Sequence, residues 1–143
     1  QTIQTGTALD KFAEFVEAQG GDKRFVYQPE LLPVGNIQLQ AMNTEDGIVS
    51  RILAEEIGLA TLALGGGRLT KESEIDLSVG ILLHKKRGDM VRAGDTLATI
   101  YANDMEKAKE AYGKIVRAYE IGPDPAGEVP MVKGIIRNGR MVQ

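Results

Sequence analysis

The chain has 143 residues, 43% of them hydrophobic and 26% charged, enough to bury one ordinary core and keep a polar surface. Its net charge of −3 gives no broad positive field, which argues against nucleic acid as a partner, and no apolar run reaches the roughly 20 residues that span a bilayer. There are no cysteines, so disulfides, thiol nucleophiles and cysteine metal sites are excluded, and the N-terminus lacks the charged and apolar regions of a signal peptide; a cytoplasmic location is expected.

Residues 7 to 18 carry Leu9, Phe12, Phe15 and Val16 at helical spacing, with Thr7 and Asp10 as an N-cap pattern and Gly20-Gly21 as the stop. Residues 22 to 36 hold Pro29, Pro33 and Gly35 with little periodicity and read as a linker or an extended crossing segment. Ile37, Leu39 and Ala41 alternate with Gln38, Gln40 and Met42, as in a half-buried strand. Thr44 to Gly47 reads as a turn with glycine at positive φ, and Ile48 to Leu53 as a second strand. Residues 54 to 64 are rich in Ala, Leu and Glu and predict a helix that ends at Gly65-Gly66-Gly67. Glu55 and Glu56 point in different directions there, so they serve the helix dipole rather than a shared site.

Ser78 to His84 is a strand-like run, followed by the turns Gly88-Asp89 and Gly94-Asp95 on either side of Met90-Val91. Leu97 to Tyr101 predicts a further strand. Asn103 with Glu106 predicts the cap of a helix over 104 to 117, with Met105, Ala108, Tyr112 and Ile115 inward. Gly122 to Gly127 reads as a loop and Val129 to Ile136 as a last strand, with fraying beyond it. The fold class is α+β, short strands with helices on one side.

Chemistry is sparse. The stretch GGGRLTKE, residues 65 to 72, has the glycines and cations of a phosphate loop. A Walker A loop, however, opens a helix and ends in Gly-Lys-Ser/Thr. Here the glycines close a helix and Lys71 follows Thr70. Two readings stay open: a nest of N–H groups with Arg68 and Lys71 that binds an anion, or a surface turn. His84 is the only histidine, so a metal site or a Ser-His-Asp set has little to build on; it reads as a strand-end packing residue. Lys85, Lys86 and Arg87 read as a solvated rim, and Asp104 to Glu110 as a solvated helix surface. Tyr101 and Tyr119 read as half-buried.

Residues 46 to 103, with the words AEEIG, GGGR-x-TKE, IDLSVG and LHKK-x-GD in order, resemble the C-terminal domain of the pyrimidine-nucleoside phosphorylase family, which includes thymidine phosphorylase. GTALDKFAEFVEAQGGD (6 to 22) and QPELLP (28 to 33) resemble what leads into that domain. One departure is Gly66, where the family more often has alanine. The resemblance implies an α/β-hammerhead related to the barrel-sandwich hybrid of biotinyl and lipoyl carriers. It implies a division into residues 1–36, the end of a catalytic α/β domain, and 37–143, the hammerhead. It further implies a larger enzyme that splits pyrimidine (deoxy)ribonucleosides with phosphate, giving free base and (deoxy)ribose 1-phosphate, and that dimerises through a helical domain.

The family's Lys-x-Ser-Thr-Gly-Gly phosphate motif and its base-holding Arg, Ser and Lys are not found in these residues. No catalytic residue, metal site or cofactor is therefore expected here, and phosphate is a co-substrate of the whole enzyme. The resemblance gives Gly65, Gly66, Gly67, Arg68, Thr70 and Lys71 a role as lid over the substrate cleft. The rival readings are a lipoyl or biotinyl carrier, which needs a lysine at a hairpin tip where Tyr101 to Asp104 stand, a free-standing binding module, and a relative acting on purine nucleotides such as AMP.

Overall fold

A computed structural model describes residues 1–123, 127 and 130–142. Two three-stranded antiparallel sheets form its centre. In the first, β1 (Ile37–Met42) and β3 (Gly80–Leu83) flank β5 (Thr96–Ala102). In the second, β4 (Met90–Val91) and β6 (Tyr119–Gly122) flank β2 (Gly47–Ile52). Neither sheet closes into a barrel. The central position of β5 explains its composition: Leu97, Ala98, Ile100 and Ala102 are buried together with Thr99. The alternation expected in β1 is present, with Gln38 and Gln40 exposed and Ala41 fully buried.

Two helices pack beside these sheets. Helix α3 (Ala54–Leu64) contributes Ala60 and Leu64 to the core, and α4 (Met105–Ala118) contributes Ala108, Ala111 and Ile115. Small residues, Ala60 on α3 and Ala108 and Ala111 on α4, let the two helices pack together, and α4 in turn lies against β1 and β5. Met105, expected inward, is 46% exposed. The cap of α4 is Asp104 rather than Asn103: its Oδ1 accepts from the N–H groups of Glu106 and Lys107 at 2.8 and 3.0 Å.

Several local expectations are corrected. Helix α1 spans Thr7–Ala18, but its N-cap is Gly6 in the left-handed region with no side-chain cap. Thr7 already lies inside the helix, and the Asp10 carboxylate instead accepts from the Tyr27 hydroxyl at 3.1 Å. Leu9, Phe12 and Phe15 are exposed, and α1 supplies nothing to the main core. The presumed linker folds into α2 (Arg24–Tyr27) and a 3₁₀ turn (Pro29–Leu31). The Asp22 carboxylate receives the Arg24 N–H and guanidinium, which starts α2.

Gly47 lies in β2, not at a positive-φ turn position; a Cβ there would sit 2.6 Å from Ile121 Cγ2, so glycine admits the neighbouring strand. At the C-terminus the loop Gly122 to Gly127 lies partly, at 124–126, outside the described residues. So does Val129, the start of the expected last strand. Ile135–Arg137 (β7) pairs with Arg140–Val142 (β8) across Asn138-Gly139, a hairpin where fraying was expected. Both turn residues have positive φ, as a two-residue hairpin requires. Among the described residues no helix is long and apolar enough to cross a membrane.

Candidate functional site

The glycine loop starts as the end of α3. Gly65, at φ 99°, donates its N–H to Leu62 O, and Gly66 donates to Thr61 O, both at 3.0 Å. This is a Schellman closure, which satisfies the carbonyls left over at a helix end and needs a left-handed residue at Gly65. A Cβ on Gly66 would stand 2.9 Å from Thr61 Cγ2 and 3.2 Å from Thr61 O, so the chain turns close against its own helix.

Beyond Gly67 the loop leaves the body of the protein. Arg68, Leu69, Thr70 and Lys71 are exposed and line one shallow, open hollow. The bonds at the tip are local: Ser73 N–H donates to Thr70 O at 3.2 Å, and Thr70 N–H to Ser73 Oγ at 3.0 Å. Neither Arg68 nor Lys71 forms a salt bridge among the described residues. The loop rejoins the body at Asp76, whose N–H donates to Gly65 O at 3.0 Å.

That return point is a cluster which sequence reasoning missed. Asp76 Oδ1 accepts from Ser78 N–H at 2.9 Å and Ser78 Oγ at 2.6 Å, and Asp76 Oδ2 accepts from Asn103 Nδ2 at 2.9 Å. Asn103 Nδ2 also donates to Ser78 Oγ at 2.8 Å, and its Oδ1 accepts Asn36 N–H at 3.1 Å. The Ser78 hydroxyl, the Ser78 N–H and the Asn103 amide hold the Asp76 carboxyl below the usual carboxylate range. Asp-x-Ser is the signal that could have shown the first half, since such carboxylates accept from the backbone two residues on. Nothing in the sequence marks Asn103 as its partner.

The other singled-out residues lie elsewhere. His84 follows β3 and its Nε2 meets Thr99 Oγ1 at 2.7 Å, which satisfies the hydroxyl of a buried residue. Of the three cations expected as a rim, Lys85 pairs with Asp95 at 3.0 Å and Arg87 donates to Ser50 O at 2.9 Å, so two of them brace the turns. Tyr119 is buried rather than half-buried. Its hydroxyl lies 3.0 Å from Lys85 O and 3.3 Å from Leu97 O, and burial with Asp89 nearby pushes the phenol up to about 12. Among the described residues no three His, Asp or Glu are placed to hold a metal ion. After β5 the chain enters α4 directly, without the hairpin tip a carrier lysine needs, and Lys107 is inside that helix.

The family model of the pyrimidine nucleoside phosphorylase C-terminal domain matches residues 48–122, more than half of the chain. The chain belongs to this family. The pyrimidine-nucleoside phosphorylase of Staphylococcus haemolyticus (strain JCSC1435) is 47% identical over 121 residues, 85% of this chain and 28% of that protein. That of Bacillus subtilis (strain 168) is 47% identical over 115 residues, 80% and 26% respectively. That of Staphylococcus aureus (strain USA300) is 45% identical over 103 residues, 72% and 24%. The chain thus spans about a quarter of the length of the curated relatives it matches. The matched stretch of this pyrimidine nucleoside phosphorylase domain runs from β2 to β6 and contains the whole glycine loop and the Asp76–Asn103 cluster.

Proposed function

We propose that the chain works as the C-terminal part of a pyrimidine-nucleoside phosphorylase and that its glycine loop is the lid over that enzyme's cleft. In the reaction a phosphate oxygen attacks C1′ of a pyrimidine (deoxy)ribonucleoside. The bond from C1′ to the base breaks, its electron pair leaves with the base, and (deoxy)ribose 1-phosphate forms. The transition state has oxocarbenium character. Such a reaction gains most from holding two reactants in line and excluding water, which is the work of a closing lid.

The observation that supports the reading is the form of the loop. Gly65, Gly66 and Gly67 allow it to leave the helix sharply, its base is tied at Gly65 and Asp76, and its tip presents Arg68, Thr70 and Lys71, with neither cation in a salt bridge among the described residues. Two cations on a tip tethered at its base suit closure over an anionic co-substrate. On this reading the chain alone releases no base, because the phosphate and base sites belong to the rest of the enzyme. Nucleoside and phosphate are then the ligands, a homodimer the working state and the cytoplasm its place.

The test is kinetic. In the complete enzyme, Arg68→Ala and Lys71→Ala should each lower kcat/KM for uridine and phosphate by about tenfold, the scale of one lost charge-assisted contact. Wild-type kinetics in both variants would make the loop a plain surface turn.

A further inference from the structure

The residue expected to cap α4 does not cap it. Asp104 takes the two N–H groups at the helix start, which leaves the neighbouring Asn103 carboxamide for another use. It makes three bonds to segments remote in sequence: to Asn36, Asp76 and Ser78. Two of them fall on the arm by which the glycine loop returns to the body.

We propose that Asn103 is a positioning residue for the glycine loop: its carboxamide clasps the returning arm at Asp76 and Ser78 and so sets where the loop tip stands. The importance of that position rests on the lid reading, but the clasp itself does not.

The chemistry suits asparagine specifically. Asp76 is a carboxylate and needs donors; Asn36 offers a backbone N–H and needs an acceptor. A primary amide supplies both from one short side chain. Aspartate could accept from Asn36 but would set a second carboxylate against Asp76. Alanine would leave Asp76 to Ser78 alone, with the Asp76 N–H bond to Gly65 O as the tie across the loop base. The Lys107 ammonium on α4 is the cation that acts on Asp76, and the Asp104 carboxylate is turned to its own helix N–H groups. Because Ser78 also donates its N–H to Asp76, and its carbonyl accepts from Gly35 at 2.7 Å, the clasp also joins the loop to the segment leading into β1.

The experiment is amide exchange and ¹⁵N relaxation on this chain, as wild type, Asn103→Ala and Asn103→Asp, without nucleoside or phosphate. In Asn103→Ala the amides of Asp76 and Ser78 should exchange about tenfold faster and the order of residues 68–75 should fall, while α3 and β5 keep their protection. Asn103→Asp should loosen the loop equally at neutral pH, where two carboxylates face each other, and recover as acid protonates one of them. Wild type has no such recovery, because its clasp needs Asp76 ionised. Unchanged exchange at Asp76 in Asn103→Ala would overturn the proposal. So would exchange rising equally in α3 and β5, or an Asn103→Asp loop indifferent to pH. Since no substrate is present, a failed clasp leaves the lid untouched, and a failed lid, read from the Arg68→Ala kinetics, leaves the clasp.

Discussion

Two glycine-rich stretches of this chain look alike in sequence and behave differently in the fold. In the stretch from Gly88 to Asp95, both turn glycines have positive φ, and both turns are tied across the molecule. Gly88 N–H donates to Val49 O and Val49 N–H to Asp89 O; Gly94 N–H donates to Asn43 O and Asn43 N–H to Asp95 O. Each aspartate also accepts a backbone N–H three residues before it, from Lys86 or Arg92. In the stretch from Gly65 to Lys71, long-range ties exist at the base and the tip bonds to itself. Glycine supplies the conformation in both; what separates the braced turns from the exposed loop is whether the neighbouring chain reaches in to hold the tip.

The contrast can be broken from the structural side first. Leu97 begins the core directly after the second Gly-Asp turn, is 1% exposed, and its carbonyl accepts from His84 N–H. Leu97→Ala should cost about 2–5 kcal/mol in urea denaturation, the range for a leucine emptied from a packed core. A loss under about 1 kcal/mol would mean the turns do not organise the core beside them.

Acid gives the next largest effect. The Lys85 ammonium and the Arg92 N–H hold the Asp95 carboxyl below its ordinary range. A carboxyl lowered by folding contributes stability that is complete above its unfolded pKa, about 4, and lost as pH falls through the lower folded value. Asp95→Asn should therefore be less stable than wild type at neutral pH, with the difference shrinking on acidification. A difference constant from pH 7 to pH 2 would remove charge from the explanation. At the loop, by contrast, Arg68→Ala and Lys71→Ala should leave stability within about 0.5 kcal/mol of wild type, since both side chains are exposed and neither forms a salt bridge among the described residues. A larger loss at either residue would make the loop structural after all.

Part of this was legible in sequence. Helix α3 was, to both ends, because a run of good helix formers meets a glycine that only a left-handed closure explains. So was β1, because its glutamines and apolar residues alternate. Gly47 was misread because its reason lies in another strand: Ile121 comes too close for a side chain, and no local pattern reports that. The cap of α4 was placed one residue early, since Asn103 and Asp104 are both good caps and sequence does not report that Asn103 is bonded to Asp76 and Ser78 instead. The apolar stripe of α1 predicted the helix, yet Phe12 and Phe15 are exposed, because periodicity states that a face is apolar and not what covers it. The residues of the glycine loop stood out by composition, and their own chemistry favoured a surface turn over an anion nest; the lid role came from the family resemblance alone.

Hydrogen–deuterium exchange across residues 66–71 in the complete enzyme, free, with phosphate, with uridine and with both, tests the lid most directly. Slowing by at least about tenfold when both ligands are bound, with little change for either alone, is the expected result. Equal exchange in all four states, in an enzyme shown to turn over, would mean that the loop does not close and that the cleft is covered by something else.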